Sequence, residues 1–458
     1  MMPEERYGKL KEYLSEENPV LLNVIDEYRK LDQIAHKVGL MERDETYTSH
    51  ISWWPMISVL GTFSAGKSTF INEYMGAPIQ QSGNQAIDDK FTVICYGKSE
   101  EPVTLPGLAL DADPRFPFYN ISEEINKVDV GEGERVNLYL QLKSIQSPAI
   151  KGKILIDSPG FDADSQRDGI LRITSHMVEM SDLVLIFFDA RHPEPGAMRD
   201  TLEHLVSSTI AHRDANKVLY ILNQIDTTAK EDNLEEVIAS WQRALSKEGL
   251  VSGNFFSIYS ENASEATENP ALLERLRVKK DIDLARILER MDKVNVERAY
   301  RIIKSLDNFA REIKEKQIPQ LRQELVGWRG RVLQTELVLL VLLLAIVGGV
   351  EVEFGILSKL EATGRMIAGG VLALLVVGVH FKVRGFFAQR LIEKWQEREV
   401  AMAKAIAHNT RWWRSLFGFG HNWHKGSKQR LAKLMGESKT TIQRLNDQFV
   451  VTAKEQKE

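Results

Sequence analysis

The stretch GTFSAGKS, residues 61–68, decides the fold. It follows a short apolar run, MISVL at 56–60, and leads into a helical stretch, so the order is strand, loop, helix. This is the phosphate-binding pattern GxxxxGK[ST], in which backbone N–H groups and a helix amino terminus face the phosphates. It predicts that Lys67 contacts the β- and γ-phosphates and that the Ser68 hydroxyl binds Mg²⁺. We expect nucleotide contacts from Gly61, Thr62, Phe63, Ser64, Ala65, Gly66, Lys67, Ser68 and Thr69.

A second motif, DSPG at residues 157–160, follows another apolar run. An acid at the end of a strand can hold Mg²⁺, usually through water, so Asp157 is a candidate metal ligand. Gly160 is a candidate donor of its backbone N–H to the γ-phosphate. A DxxG stretch is a weak signal by itself, but its position on a strand after a P-loop makes it a strong one.

A third motif, NQID at residues 223–226, matches three letters of the guanine-binding motif NKxD. In this interpretation Asn223 ties the loop to the P-loop, and Asp226 accepts two hydrogen bonds from guanine, a paired donor edge that adenine lacks. Gln224 replaces the lysine that lies along the base, which weakens the guanine preference without excluding it. Ser260 ends the next apolar run, where a base-contacting loop is expected.

Six short β-rich runs lie between residues 53 and 260. They are MISVL (56–60), FTVICY (91–96), KILID (153–157), LVLIFFD (183–189), KVLYILN (217–223) and FFSIYS (255–260). Near-continuous apolar strands that alternate with helices are typical of a parallel sheet covered on both faces. The predicted fold class is an α/β P-loop GTPase head with a mainly parallel sheet, joined to an α-helical bundle stalk and a membrane-inserting hydrophobic hairpin.

Helical patterns flank the head. Before it, apolar residues follow a helical period from Pro19 to Val38, and Gly39 is a plausible stop. After it, residues 270–333 are predicted to be helical, with a kink or end at Pro319. A further helix-packing seam is predicted from the spacing of Leu431, Met435, Ser438, Ile442, Leu445 and Phe449.

Two uninterrupted apolar runs, residues 337–350 and 366–379, stand apart from the rest of the chain. Each has 14 residues, about 21 Å as a helix, against a hydrocarbon core of ~30 Å. Three interpretations are open. The runs can be two membrane spans with a glutamate-bearing exit at Glu351 and Glu353, or a hairpin that enters the bilayer and returns. They can also be two buried helices of a soluble core. The unbroken aliphatic runs with glycine pairs favour the membrane.

The charge distribution and the composition indicate which partners, topology and cysteine-based sites this chain can have. Residues 382–458 carry a net charge of +9 and residues 1–381 carry −14, which suggests an anionic partner for the carboxyl-terminal part. Basic and aromatic residues interleave at 411–430, as suits lipid headgroups. We expect lipid to bind there, in preference to a packed helical corner and well before nucleic acid. Basic residues outside both apolar runs predict that the head and both termini face the cytosol. The single cysteine, Cys95, excludes an intramolecular disulfide and a Cys-rich zinc site.

The predicted division of the chain has five parts. They are an N-terminal stalk helix at 1–48, a dynamin-type G domain at 49–265, stalk helices at 266–335, a transmembrane or membrane-inserting hairpin at 336–381 and basic C-terminal stalk helices at 382–458. The term dynamin-type rests on a resemblance to the dynamin superfamily, especially to mitofusins, bacterial dynamin-like proteins and EH-domain-containing ATPases. The resemblance is carried by five stretches: GTFSAGKSTFIN (61–72), AIDDKFTVICYG (86–97), IDSPGFD (156–162), FFDA (187–190) and LNQID (222–226).

This resemblance implies a head that binds GTP with Mg²⁺, dimerises across its nucleotide sites and hydrolyses faster when assembled. It implies that Ser64, with Lys67, helps to position the attacking water and shield charge. The switch threonine of the family is replaced here by Asp88. A carboxylate there could still bind Mg²⁺ in the catalytic site, yet it would repel phosphate oxygens.

The sequence therefore predicts a membrane-anchored, dynamin-like GTPase whose hydrolysis and head-to-head dimerisation drive membrane tethering, fusion or remodelling. Two alternatives stay open. Asp88 and Gln224 fit a nucleotide-switched membrane scaffold that hydrolyses little, and the resemblance to the EH-domain group fits an ATP-using remodeller.

Overall fold

The computed structural model describes residues 3–81, 90–116, 136–160, 174, 176–192, 217–227, 233–247, 250, 253–262, 270–355, 359, 361–411 and 423–455. Contacts divide the chain into two compact units. The head unit consists of Gly8–Leu22 and Ser49–Ile302, and the helical unit of Met2–Tyr7, Asn23–Thr48 and Ile303–Glu458. Residues 1–48, which the sequence assigns as a whole to a stalk, are thus shared between the units.

An eight-stranded mixed sheet forms the centre of the head unit. Its strands are β1 Met56–Gly61, β2 Phe91–Tyr96, β3 Val103–Pro106, β4 Leu140–Ile145, β5 Ile154–Asp157, β6 Leu183–Asp189, β7 Val218–Asn223 and β8 Asn254–Ser257. They lie in the order β3-β4-β2-β5-β1-β6-β7-β8, and neighbours are parallel except for β2–β5 and β3–β4. Because β5, β1, β6 and β7 run in the same direction, their carboxyl ends meet at one edge of the sheet.

All six predicted strands are present, although β8 ends at Ser257 and not at Ser260, and the sheet is more mixed than the sequence predicts. The prediction missed β3 and β4. Strand β3 has only four residues, VTLP, is exposed along its length, and lies at an edge of the sheet, where its terminal Pro106 is tolerated. Strand β4 reads LQLKSI and buries Lys143, so its inward face does not look apolar. Strands β3 and β4 form one antiparallel pair, and β2 and β5 form the other.

Nine longer helices accompany the sheet in the described ranges. They are α1 Pro3–Glu17, α2 Leu22–Val38, α3 Lys67–Met75, α4 Leu234–Lys247, α5 Pro270–Glu312, α6 Ile318–Phe354, α7 Ala362–Gln396, α8 Val400–Thr410 and α9 Trp423–Glu455. Shorter turns lie at Pro19–Leu21, Tyr47–His50, Ala109–Ala112, Val136–Tyr139 and Pro148–Ile150. A π-helical turn, Ile313–Gln317, separates α5 from α6. It immediately precedes Pro319, where the sequence predicts an interruption, and Pro319 itself lies in the first turn of α6.

Apolar side chains cover both faces of the sheet, as near-continuous apolar strands predict. On one face Val184 and Phe188 of β6 lie in a core with Trp241 of α4, and the Phe188 and Trp241 ring centroids are 5.5 Å apart. On the other face Phe187 packs against Phe70 of α3 with a centroid distance of 5.1 Å. Successive residues of one strand therefore anchor helices on opposite sides.

The end of α1 is held on the head unit by a buried carboxylate, Glu17. Its Oε2 accepts hydrogen bonds from Trp54 Nε1 at 2.9 Å and from the Gly152 backbone N–H at 3.1 Å. Arg115 lies 3.8 Å from the other oxygen and pairs with Asp113 at 2.6 Å. Burial raises the pKa of Glu17, while the Arg115 charge and the two donors oppose that rise. The sequence does not predict this attachment, because a single glutamate at the end of a helix carries no signal.

Helical periods predict the packing of the helical unit well but not completely. On α2 the predicted apolar face is buried, and the helix ends before Gly39, whose φ is +84°. On α9 the predicted Leu431, Ser438 and Leu445 are buried, but Met435 and Ile442 are half-buried. Their neighbours Leu434 and Thr441 are buried instead, because the seam takes its three-residue step before its four-residue step. The side chain of Phe449 lies outside the described residues.

The two apolar runs lie in α6 and α7. Both helices contain 18-residue windows of high mean hydropathy, 2.5 and 2.0, and no part of either window is buried in this chain. The interpretation of the runs as core helices buried within this chain is therefore wrong. By length and composition α6 and α7 are candidates for crossing a membrane.

Candidate nucleotide-binding site

The P-loop follows β1, which is buried along its whole length between β5 and β6. The loop needs two left-handed residues, Ser64 with φ +57° and Gly66 with φ +84°, before α3 begins at Lys67. Left-handed backbone is easy for glycine and uncommon for serine, so the conformation of Ser64 must be held by its neighbours. The result is a loop wrapped over the amino terminus of α3, which is the arrangement that binds phosphate.

The Lys67 ammonium group lies under this loop. Its Nζ donates to the backbone oxygens of Gly61 at 2.9 Å and Thr62 at 3.1 Å, and the residue is only 7% exposed. Burial lowers the pKa of Lys67, while the negative charge of Asp157 opposes that shift. A buried cation that donates to two carbonyl oxygens would be stabilised further by an anion such as a phosphate.

The DSPG loop lies against the P-loop. Asp157 is the last residue of β5 and pairs with Val59 of β1, and the Ser158 N–H donates to the Val59 oxygen at 3.0 Å. Gly160 approaches Phe63 so closely that an added Cβ would lie 3.1 Å from the Phe63 Cα. Asp157 and Gly160, which the sequence selects for metal and phosphate contacts, therefore lie beside the P-loop.

The NQID loop is joined to the P-loop by two side chains. Asn223 Nδ2 donates to the Ala65 oxygen at 2.9 Å, and Gln224 Nε2 donates to the Ser64 oxygen at 2.5 Å. Gln224 has φ +63°, and in the described part of the chain Gln224 and Ser64 are the non-glycine residues with positive φ. The glutamine that replaces the usual lysine thus holds the strained P-loop serine in place.

Asp226, the candidate guanine acceptor, is half-buried at the end of this loop. Arg191 lies near it and is bound to Asp189, with Nη2 and Oδ2 2.5 Å apart. The hydrogen bond to Asp189 raises the pKa of Arg191, and the charge of Asp226 adds to the effect. The sequence carries no signal for Arg191, because the arginine follows a strand without belonging to a motif.

For three predicted site residues the geometry of the described part of the chain does not show a contact that bears on nucleotide binding. Ser260 donates a hydrogen bond to the carboxylate of Glu73 on α3, so its hydroxyl is engaged by the P-loop helix. Thr69 lies in the first turn of α3. Asp88 lies outside the described residues, together with the first part of the segment that resembles the family switch region. The proposed roles of all three stay predictions.

The donor set fits a magnesium ion held mainly by its nucleotide. Ser68 and Asp157 offer a hydroxyl and a carboxylate, the hard oxygen ligands that Mg²⁺ prefers. Among the described residues no group of three or more His, Cys, Asp or Glu side chains is placed to hold a metal ion. Mg²⁺ at nucleotide sites does not need such a group, since one or two protein oxygens, waters and phosphates complete its shell.

Two loops that follow parallel strands, DSPG after β5 and NQID after β7, therefore lie against the P-loop that follows β1 and covers the buried Lys67. These features define a nucleotide-binding domain of the P-loop class.

Comparison with known proteins relates the head region of this chain to a known family. The model of the dynamin family matches residues 57–225. EH domain-containing protein 1 of Bos taurus is 26% identical over 179 residues, which is 38% of this chain and 31% of the relative. Its counterpart in Arabidopsis thaliana is 27% identical over 182 residues, again 38% of this chain and 30% of the relative. The chain thus matches less than a third of the length of these relatives. Residues 57–225 therefore carry a dynamin-family domain, and members of the dynamin superfamily are nucleotide hydrolases.

A solved structure of an oligomerised bacterial dynamin pair, described as a mechanism for long-range sensing and tethering of membranes, is similar over 95% of this chain and 78% of its own. The sequence identity is 16% and the TM-score is 0.38.

Replacing Gly66 by alanine tests whether the shape of the P-loop controls nucleotide binding. An added Cβ would lie 2.2 Å from Asn223 Nδ2, at a φ of +84°. We expect Gly66→Ala to lower the affinity for nucleotide at least about tenfold, because it strains the loop and breaks the buried Asn223 hydrogen bond. The affinity is measured by titration with a fluorescent nucleotide.

The matched control is Gly76→Ala, because Gly76 at the end of α3 has φ +68° and no atom within 4 Å of an added Cβ. It should cost about 1 kcal/mol of stability and leave nucleotide affinity unchanged. Equal affinities for the two variants would show that the wrapped loop does not form the binding site.

Proposed function

We propose that this protein is a membrane-anchored, dynamin-like GTPase that couples hydrolysis and head-to-head dimerisation to membrane tethering, fusion or remodelling. The observation that carries the proposal is that one chain combines a P-loop site with two unburied apolar helices. The proposal keeps the division into a head at 49–265, a hairpin at 336–381 and stalk helices at 1–48, 266–335 and 382–458. It also keeps a cytosolic side for the head and both termini.

In this proposal each part of the site has one task. Lys67 binds the β- and γ-phosphates, and the wrapped backbone from Gly61 to Thr69 surrounds them. Ser68 and Asp157 hold Mg²⁺, which neutralises charge on the phosphate oxygens. Ser64 positions the attacking water, and Gln224 supports this role because its hydrogen bond holds the Ser64 backbone in a left-handed conformation. Asp88 is retained as a further candidate close to the γ-phosphate.

The choice between GTP and ATP depends on Asp226. A carboxylate there can accept the two donors on the edge of guanine, which favours GTP. The EH domain-containing relatives belong to an ATP-using group, which favours ATP. Gln224 does not decide between them, because its amide is bound to Ser64.

Replacing Asp226 by alanine separates the two nucleotides. We expect Asp226→Ala to lower GTP affinity about tenfold or more, since hydrogen bonds to a charged group contribute about 1.5–3 kcal/mol, and to leave ATP affinity unchanged. Competition of GTP and ATP against a fluorescent nucleotide measures both. Asp307→Ala serves as a control, because Asp307 pairs with Arg311 on a helix of the helical unit. Unchanged GTP affinity in Asp226→Ala contradicts the guanine assignment, and a wild-type preference for ATP supports the ATP-using alternative.

Support for a membrane hairpin comes from the way α6 and α7 are joined beside their apolar runs. Glu336, the residue before the first run, binds His380, the residue after the second, with 2.6 Å between Oε1 and Nδ1. The Arg384 guanidinium lies over the Trp328 ring at 5.1 Å, and Trp328 Nε1 donates to the Arg384 oxygen at 3.3 Å. The two helices are therefore tied together at the end where the chain enters and leaves the apolar region.

The same arginine links this end to the basic aromatic segment. Arg384 Nη2 donates to the backbone oxygens of Thr410 at 3.0 Å and of Arg411 at 3.3 Å. Arg411 is the first residue of the stretch 411–430 that the sequence assigns to lipid headgroups. That stretch therefore begins beside the polar end of the hairpin, as an interfacial segment should.

A pair of charged substitutions in the two runs tests the hairpin. Leu344 and Leu374 lie near the middle of their runs and are 61% and 74% exposed. A charge at the centre of a bilayer costs about 2.5–3.5 kcal/mol on insertion scales, so we expect the double variant Leu344→Asp, Leu374→Asp to be lost from the membrane fraction after a carbonate wash. Deletion of 337–379 should give the same result.

The control is the double variant Val278→Asp, Ile282→Asp, which changes two exposed apolar residues of α5 in the head unit. It should stay with the membrane as the wild type does. Full retention of the hairpin variant, or a wild-type chain that remains soluble, would contradict the anchor.

A further inference from the structure

A chain of three buried polar side chains leads away from the proposed magnesium site. Gln80 Nε2 donates to Asp157 Oδ2 at 2.5 Å, and Lys143 Nζ donates to Gln80 Oε1 at 2.6 Å. Gln80, Asp157 and Lys143 are 3%, 4% and 8% exposed. No motif contains Gln80 or Lys143, and the nucleotide site described above does not use them.

The chemistry of the three groups sets the orientation of the glutamine amide. A lysine ammonium group only donates hydrogen bonds, and an ionised carboxylate only accepts them. The amide must therefore turn its oxygen to Lys143 and its NH₂ group to Asp157. Lys143 is itself held by a second acceptor, the Ile79 backbone oxygen at 3.0 Å. The positive charge of Lys143 thus polarises the amide that binds the carboxylate.

The backbone of Gln80 is held as firmly as its side chain. Its N–H donates to Asn72 Oδ1 at 2.8 Å, and its oxygen accepts from Asn72 Nδ2 at 2.8 Å. Asn72 belongs to α3, the helix that begins at Lys67. Gln80 therefore joins the P-loop helix, strand β4 and the carboxylate that ends β5.

We infer that Gln80, backed by Lys143, is a positioning residue that holds the Asp157 carboxylate in the orientation that binds Mg²⁺ through water. The inference rests on the proposed nucleotide function and goes beyond it by assigning residues outside its motifs. Partners that orient a metal-binding carboxylate typically change metal affinity 10–100-fold when they are removed. Gln80 does not touch the nucleotide in this scheme, so it acts on Mg²⁺ rather than on nucleotide binding itself.

The test compares nucleotide affinity with and without the metal. The full chain is titrated with a non-hydrolysable GTP analogue in EDTA and at a series of free Mg²⁺ concentrations. For Gln80→Met, which keeps the length of the side chain and removes both hydrogen bonds, we expect the half-saturating Mg²⁺ concentration to rise about tenfold or more. The affinity in EDTA should stay within about twofold of the wild type, because the phosphate-binding loop itself is unchanged.

Three further variants make the test specific. Lys143→Met should shift the Mg²⁺ requirement in the same direction, because the amide then loses the cation that holds its oxygen and polarises the NH₂ group bound to Asp157. Lys143→Arg, which keeps a charged donor, should restore most of the wild-type behaviour. Gln317→Met is the matched control, since Gln317 is also a buried glutamine that donates to a carboxylate, that of Glu399 at 3.1 Å, but it belongs to the helical unit.

The outcomes separate this inference from the proposed function. An unchanged Mg²⁺ requirement in Gln80→Met overturns the positioning role. An equal loss of affinity in EDTA also overturns it, because Gln80 would then only shape the loop. A wild-type chain that binds neither GTP nor ATP would overturn the proposed function and this inference with it.

Discussion

The buried ammonium group of Lys67 is the constraint on which the head depends. Its hydrogen bonds go to two carbonyl oxygens of its own loop, and the charge of Asp157 only partly offsets the cost of burial. Such a cation is stable when the loop around it keeps its shape and when an anion can approach. Side chains from the NQID loop keep the P-loop in shape, because Asn223 and Gln224 donate hydrogen bonds to the backbone oxygens of Ala65 and Ser64.

The sheet explains why these groups converge. Strands β5, β1, β6 and β7 are parallel, so the loops that follow them lie at one edge. The mixed part of the sheet contributes a buried side chain and not a loop at this edge. Strand β4, beyond the antiparallel β2–β5 pair, brings Lys143 towards Asp157 from the side, through Gln80. The loops at this edge thus follow parallel strands, whereas Lys143 comes from the mixed part of the same sheet.

Much of this arrangement could be predicted from the sequence, for a physical reason. The P-loop, the six apolar strands and the two apolar runs are local patterns, and each carries its own signal. Gln80, Lys143 and Arg191 carry none, because a glutamine, a lysine or an arginine outside a motif usually lies in solvent. The contacts of Gln80 with Lys143 and Asp157 join positions far apart in the chain, as does the attachment of Glu17 beside Trp54 and Gly152. Strand β3 was missed because it is short, exposed and ends in proline.

We expect nucleotide hydrolysis by this protein to depend on assembly of the heads on a membrane. The most direct measurement is the hydrolysis rate per head as a function of the protein density on vesicles, with single turnovers recorded for free and membrane-bound protein. The account predicts that the rate rises with density, because crowded heads meet across their nucleotide sites. A rate that is the same for crowded and free heads would contradict it and would favour a nucleotide-switched scaffold that hydrolyses little.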